Sequence, residues 1–129
     1  MVTNPNVNRM AQELFEVERM GKTVVLNLRR GLREIEFDKP PQDAFEVLEL
    51  VRLRTIENIV VDCHDIDFLR STALGFFVSL SQRITGKGGK VAFCNVSAKT
   101  AKILRATKLD KIWSVCPSRV EAIEAVEGE

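Results

Sequence analysis

Hydrophobic and polar residues follow one another in a pattern that predicts strands separated by helices. Two short apolar runs, at residues 14–17 and 23–28, flank a Met-Gly-Lys tripeptide at 20–22. A glycine between two strand-like runs is typical of a hairpin turn. We therefore expect the chain to open with two antiparallel strands.

The middle of the chain predicts a helix, a strand and a second helix. Apolar residues at 42–54 are too dense for the alternation of a strand and fit an amphipathic helix, which Pro40 and Pro41 precede. Residues 59–63 predict a buried strand. The helix that follows from Ser71 carries an apolar stripe, and glycines end it at 86–89. This stripe comprises Ala73, Phe77, Leu80 and Ile84.

The last third of the chain continues the alternation. We expect a strand at 90–94, a helix at 97–107 capped by Ser97, a strand at 112–115 and a helix at 118–126. Strands that alternate with helices predict an α/β fold. The sheet is then a single mixed layer, opened by the antiparallel hairpin and continued by parallel crossovers, with helices packed on it.

The composition predicts a single cytoplasmic domain without a cofactor. The 129 residues are enough for one core, and 19 basic against 18 acidic residues give no overall charge that would favour nucleic acid. No apolar run reaches the about 18 residues of a membrane-spanning helix, so we expect no membrane insertion. Three widely spaced cysteines and one histidine do not match the usual zinc ligand sets, and we expect reduced, buried thiols and no metal.

A Ser-Thr pair at 71–72 opens the second predicted helix. A hydroxyl at this position caps unpaired backbone N–H groups and stabilises the helix by about 1 kcal/mol. The same position tolerates a phosphate, because the N–H groups and the positive end of the helix dipole face it. Ser71 is therefore a helix cap, a phosphorylation site or both, and Thr72 is the second candidate acceptor.

Three segments resemble a known family: Ile-Val-Val-Asp at 59–62, Phe-Leu-Arg-Ser-Thr-Ala-Leu-Gly at 68–75 and Gly-Gly-Lys at 88–90. In order and spacing they resemble the STAS domain of anti-sigma factor antagonists. The resemblance implies a STAS domain at residues 13–127, after a flexible lead-in at 1–12. It also implies a non-enzymatic protein that binds an anti-sigma factor with serine kinase activity.

The resemblance implies that phosphorylation of Ser71 switches partner binding. In that family the matching serine is phosphorylated by the kinase, and a phosphatase is the second implied partner. The unphosphorylated form binds the kinase and frees the sigma factor. The resemblance therefore implies transcription regulation by partner switching.

Two residues beside this serine depart from the family pattern. Ala73 stands where the family has glycine, and Arg70 replaces an aspartate, which reverses the charge. Arg70 is either an exposed loop arginine, a partner for a phosphate on Ser71 or a contact for an acidic protein. It favours a second function, that of a constitutive STAS adaptor in a stress-signalling assembly or on the ATPase of a lipid transporter, which needs no phosphorylation.

We expect a partner to bind at the start of the second predicted helix. The residues of this surface are Arg70, Ser71, Thr72, Leu74 and Phe76. Phe76 lies at the edge of the apolar stripe, about 60 degrees from Ala73 around the helix, so it is either a partly exposed contact or packed beneath the neighbouring loop. The sequence leaves homodimer formation open.

Charged residues near Ser71 raise an enzymatic alternative. Asp62, His64, Asp65 and Asp67 are residue types used in serine catalysis and in magnesium binding. The G-x-S-x-G elbow of serine hydrolases is missing, and loop aspartates commonly bond to their own backbone. The sequence therefore favours a binding protein over an enzyme.

Basic residues also recur at every third position of the third predicted helix. Such a pattern is either a solvated face or a contact for acidic protein or lipid headgroups. The residues are Lys99, Lys102, Arg105 and Lys108.

Overall fold

The computed structural model describes residues 15–29, 42–69 and 71–128, with the side chains of 15, 42–45, 71 and 72 excepted. The predicted lead-in at 1–12 and the charged segment at 30–39 lie outside the described residues. The strands are β1 (Phe15–Met20), β2 (Thr23–Leu28), β3 (Asn58–Asp62), β4 (Val91–Cys94) and β5 (Ser114–Cys116). The helices are α1 (Gln42–Val51), α2 (Ser71–Thr85), α3 (Ala98–Ala106) and α4 (Arg119–Glu127), and Leu109–Lys111 forms a 3-10 turn.

The strands form one sheet in the order β1-β2-β3-β4-β5. β1 is antiparallel to β2, with Met20 opposite Thr23, and the later pairs are parallel. Gly21 turns the hairpin at a φ of 63°, a conformation that glycine adopts without a steric penalty. The predicted α/β architecture, a mixed sheet opened by a hairpin, is confirmed.

Side chains that alternate along the strands bury both faces of this sheet. On β2, Val24, Leu26 and Leu28 point into the larger core beneath α1 and α2. Val25 points the opposite way, into a smaller core that is closed by Ala122 of α4. Strands buried on both faces explain why the central runs of the sequence are almost continuously apolar.

The stripe predicted on α2 is confirmed: its four side chains are buried and belong to the larger core. Beneath the helix, Trp113 stacks on Phe93 with ring centroids 4.5 Å apart. Its Nε1 donates a hydrogen bond of 2.9 Å to Ser81 Oγ on α2, so the polar atom of this buried indole is satisfied. Trp113 therefore links α2 to the sheet.

The predicted cap Ser97 is confirmed, and Ser118 caps α4 in the same way. Ser97 Oγ accepts from Thr100 N at 3.1 Å, and Ser118 Oγ accepts from Glu121 N at 3.2 Å. Each such cap stabilises its helix by about 1 kcal/mol.

Two predicted boundaries are wrong, and tertiary contacts explain one of them. The helix predicted to reach residue 54 ends at Val51, where Lys87 Nζ donates to the carbonyl oxygens of Val51 (2.5 Å) and Leu53 (3.0 Å). The lysine thus satisfies the carbonyl of Val51, which the helix end leaves without a helical partner. The last strand begins at Ser114 instead of 112, because the chain first completes the 3-10 turn.

Gly89 is expected to tolerate no side chain. A Cβ placed there would overlap the carbonyl oxygen of Glu57, whereas one at neighbouring Gly88 would meet open space. We predict that Gly89→Ala lowers the free energy of unfolding by about 3 kcal/mol, as backbone must shift to relieve the overlap. Gly88→Ala should cost only about 1 kcal/mol for its φ of 87°. Urea unfolding compares the two, and equal losses would contradict this account.

Candidate functional site

The carboxyl ends of the parallel strands place two loops and two helix N-termini at one edge of the sheet. Residues 63–70 connect β3 to α2, and residues 95–97 connect β4 to α3. This edge is the usual position of ligand and partner sites in α/β folds. Ser71 is the first residue of α2 and therefore lies at this edge.

Asp62, the last residue of β3, is the centre of a polar network at this edge. Its side chain is 4% exposed. Its Oδ1 accepts from the backbone N–H of His64 and from Asn95 Nδ2, each at 3.1 Å, and His64 Nδ1 lies at the same distance. Its Oδ2 accepts from Arg119 Nε at 3.2 Å. The carboxylate is thus fully engaged with the protein.

Arg119 extends the network to the first two strands. Its Nη1 donates to Glu18 Oε2 at 2.6 Å, and its Nη2 donates to Asn27 Oδ1. Asn27 in turn donates to the carbonyl oxygen of Glu16 at 3.2 Å. One guanidinium therefore joins β1, β2 and β3 to the first turn of α4.

This network holds Asp62 in its charged form. Burial alone would raise the pKa of Asp62, but hydrogen bonds from Asn95, His64 and Arg119 outweigh it and lower the pKa below its ordinary value. For Arg119, burial alone would lower the pKa of the guanidinium. The contacts with Asp62 and Glu18 outweigh burial and raise this pKa above its ordinary value. The pair remains ionised at neutral pH.

These contacts give the enzymatic alternative no support. Asp62 is bound by donors on both oxygens, and His64 Nε2 lies 3.3 Å from Asp65 Oδ2. Within the described residues, no group of three histidine, cysteine or acidic side chains is arranged to hold a metal. Among the thiols, burial raises the pKa of Cys94 to about 12, which leaves it protonated.

The loop between Asp62 and Ser71 is anchored at its start and at its middle. At its start His64 bonds to Asp62, and further along Ser97 Oγ donates to the carbonyl oxygen of Asp67. Ile66 and Leu69 are buried, whereas Phe68 between them is 40% exposed. The loop thus presents one aromatic side chain to solvent, three residues before Ser71.

The predicted partner-binding residues divide into two groups. Arg70 and the side chains of Ser71 and Thr72 lie outside the described residues, although the predicted start of the helix at Ser71 is confirmed. Leu74 and Phe76 are 6% and 9% exposed and belong to the larger core. Of the two alternatives for Phe76, the structure favours packing over a partly exposed contact.

The sequence patterns did not identify Phe68 as an exposed side chain of the site. They did not predict the ion pair between Asp62 and Arg119 either. The spacing of residues along α2 gives the direction in which Phe76 points from the helix axis. It does not show which atoms cover the ring of Phe76. An aromatic residue in a short polar loop, between two residues that become buried, is the signal that would have identified Phe68.

Comparison with known proteins assigns the fold to a family. The model of the STAS domain matches residues 3–122. The chain belongs to the STAS domain family. This STAS domain is 29% identical over 79 residues to an anti-sigma F factor antagonist of Paenibacillus polymyxa, an alignment that covers 61% of this chain and 68% of that protein.

Solved structures are similar over most of this STAS domain. An anti-sigma factor antagonist domain from Planctomyces limnophilus has a TM-score of 0.75 at 20% identity, covering 86% of this chain and 96% of its own. SpoIIAA in its unphosphorylated form has a TM-score of 0.71 at 19% identity, covering 89% and 97%. Phosphorylated SpoIIAA of Bacillus has a TM-score of 0.67 at 17% identity, covering 86% and 97%. At these identities the similarity establishes the fold, which confirms the predicted STAS architecture.

Among the described residues, no helix combines the length and the apolar character that crossing a membrane requires.

The lowered pKa of Asp62 predicts a pH-dependent stability. Because the folded-state pKa of Asp62 lies below the unfolded value of about 4, its contribution to stability is complete above that unfolded value and is lost as pH falls from there through the folded-state pKa. We expect Asp62→Asn to lower the free energy of unfolding at pH 7 by about 2 kcal/mol and to flatten its acid dependence. Urea unfolding between about pH 3 and about pH 7 measures both effects. This range extends from about one pH unit below the unfolded pKa of Asp62 to about three pH units above it.

Asp65→Asn is the matched control, since this neighbouring carboxylate is exposed. The account would be wrong if both substitutions changed the stability and its pH dependence equally.

Proposed function

We propose that this STAS domain is an anti-sigma factor antagonist whose binding to an anti-sigma factor with serine kinase activity is switched by phosphorylation of Ser71. The family assignment supports the antagonist role, and the named Paenibacillus relative is such an antagonist. The position of Ser71 as the first residue of α2 is the observation that supports the switch. SpoIIAA, which shares the fold, has been solved both with and without phosphate.

A phosphate is physically suited to this position. The first N–H groups of α2 have no partner within the helix, and the helix dipole favours negative charge there. Phosphorylation therefore adds roughly two negative charges without a reason to unfold the helix. The loop leading to Ser71 is anchored by Asp62 and Ser97, so the added charge changes the surface more than the backbone.

Phe68 supplies the apolar part of the proposed interface. An aromatic side chain that is partly exposed in the free protein is typical of the residues that contribute most to protein–protein binding. A charge added three residues away would have to lose its water when the partner covers Phe68, which opposes binding. Phe68 thus takes the role that the sequence predicted for Phe76. Arg70 and Thr72 keep their proposed places around Ser71, whereas Leu74, which is 6% exposed, belongs to the core and is left out of the proposed contacts.

The alternative function is a constitutive adaptor, in a stress-signalling assembly or on a lipid transporter ATPase. Arg70 in place of the family's aspartate favours it, because a cation beside Ser71 offsets part of the charge of a phosphate. The two functions differ in the partner and in whether the modification of Ser71 changes partner binding, and the second difference is the one that Ser71 variants test. We further propose that the protein is non-enzymatic, acts in the cytoplasm and meets a phosphatase that restores Ser71.

The proposed switch predicts that Ser71→Asp releases the kinase while Ser71→Ala retains it. The expected loss is about tenfold or more, because burying an unpaired carboxylate costs more than the about 1.4 kcal/mol that corresponds to that factor. Affinity capture from a lysate of the source organism, with mass spectrometry of the retained proteins, measures it. Ser79→Asp, on an exposed position of the same helix, is the control and should retain the kinase.

One partner retained equally by wild type, Ser71→Ala and Ser71→Asp would establish the constitutive adaptor and reject the switch.

The proposed interface predicts that Phe68→Ala weakens capture of the same partner. We expect about a tenfold loss with little change in thermal stability, since Phe68 is already 40% exposed. Leu53→Ala removes another exposed apolar side chain, in the loop after α1, and should leave binding unchanged. Equal binding by wild type and Phe68→Ala would remove Phe68 from the interface.

A further inference from the structure

The segment from α3 through the 3-10 turn concentrates the positive charge of this protein. It carries five exposed cations and one carboxylate, Asp110, whereas the whole chain has a net charge of +1. We call these five cations the basic segment: Lys99, Lys102, Arg105, Lys108 and Lys111. Thr100 and Leu104 anchor the opposite face of α3 in the protein, so the cations face solvent.

None of these five cations forms an ion pair with a described residue, whereas several cations elsewhere have a partner. Elsewhere Lys22 pairs with Glu57 at 3.4 Å, Arg52 pairs with Glu49 at 3.2 Å, and Lys90 donates to the carbonyl oxygen of Gly128 at 2.9 Å. In the described part of the chain, no carboxylate within ion-pair distance neutralises the basic segment. Its charge is therefore available to a partner.

The backbone at Lys108 supports a role for its charge. Lys108 follows the C-cap Thr107 and has a φ of 63°, in the left-handed region. This is the position after a helix where glycine is most common, because a side chain there is strained. The chain has a lysine there instead, which adds a cation to the end of the basic segment.

The chemistry of the basic segment fits a surface of spread negative charge. Four of its five cations are lysines, whose compact ammonium groups lack the fork with which arginine grips a carboxylate. Three of the cations lie on α3 and two lie just after it, and clusters of four or more basic residues at an amphipathic helix are typical of contacts with anionic lipid headgroups. Ile112, the residue after Lys111, is 59% exposed and offers an apolar contact at the same end.

We propose that the basic segment is a peripheral docking surface for an anionic lipid membrane. The end near Ile112 faces the lipid, because Asp65 and Asp67 are exposed near the other end, where Ser97 contacts the loop before Ser71. Binding is electrostatic and reversible, since the exposed apolar residues within α3 are only alanines. This surface functions independently of Ser71 and of the proposed kinase.

Co-sedimentation of the full chain with vesicles tests the proposal. We expect binding to vesicles of phosphatidylglycerol and phosphatidylcholine at a ratio of about 3:7, weaker binding at high salt, and no binding to phosphatidylcholine alone. The variant Lys102→Gln/Arg105→Gln/Lys108→Gly should lose about 100-fold in affinity, at about fivefold for each removed charge. Glycine at 108 suits the backbone, and thermal melting verifies that the variant is folded.

The matched control is Arg52→Gln/Arg54→Gln/Arg83→Gln, which removes the same charge from exposed positions outside the basic segment. Retained binding by this control supports the proposal. The proposal is overturned if wild type does not prefer anionic vesicles, if both variants lose binding equally, or if the basic segment binds soluble polyglutamate and not the vesicles. The last result would identify an acidic protein as the partner.

Discussion

The ion pair between Asp62 and Arg119 is the interaction on which the rest of the structure depends. A buried ion pair is stable only when its remaining donors and acceptors are also satisfied. Here Asn95 and His64 complete the shell of Asp62, while Glu18 and Asn27 complete that of Arg119. The network fixes the first turn of α4 against three strands. It also fixes the point at which the chain leaves β3 for the loop before Ser71.

The anchored loop suits a surface whose partner binding is changed by added charge and not by a rearrangement of the backbone. The loop is attached to the sheet through Asp62 and to α3 through Ser97, and its buried residues Ile66 and Leu69 lie on either side of Phe68. A phosphate at the start of α2 would thus meet an already ordered surface, and binding would pay little for ordering the loop. In the proposed function, the same rigidity makes the presence or absence of the phosphate the main difference between two otherwise similar surfaces.

The local pattern of the chain predicted β2, the stripe on α2 and the cap Ser97, because each depends on residues a few positions apart. The end of α1 and the start of β5 depend on contacts outside these local patterns. Lys87 donates a hydrogen bond to the last carbonyl oxygen of α1, and a 3-10 turn precedes β5. Asp62 and Arg119 are 57 residues apart, and no local pattern relates them. The burial of Phe76 and the exposure of Phe68 likewise depend on which atoms cover each ring.

The position of Trp113 gives the protein an optical property of its own. The chain has one tryptophan and no tyrosine, so near-ultraviolet excitation at long wavelength addresses a single indole. That indole stacks on Phe93 and donates to Ser81, which belongs to the helix that begins at Ser71. A partner that displaces α2 would alter the emission of this indole, whereas one that only contacts the surface would not. Fluorescence can therefore distinguish rearrangement from docking without any label.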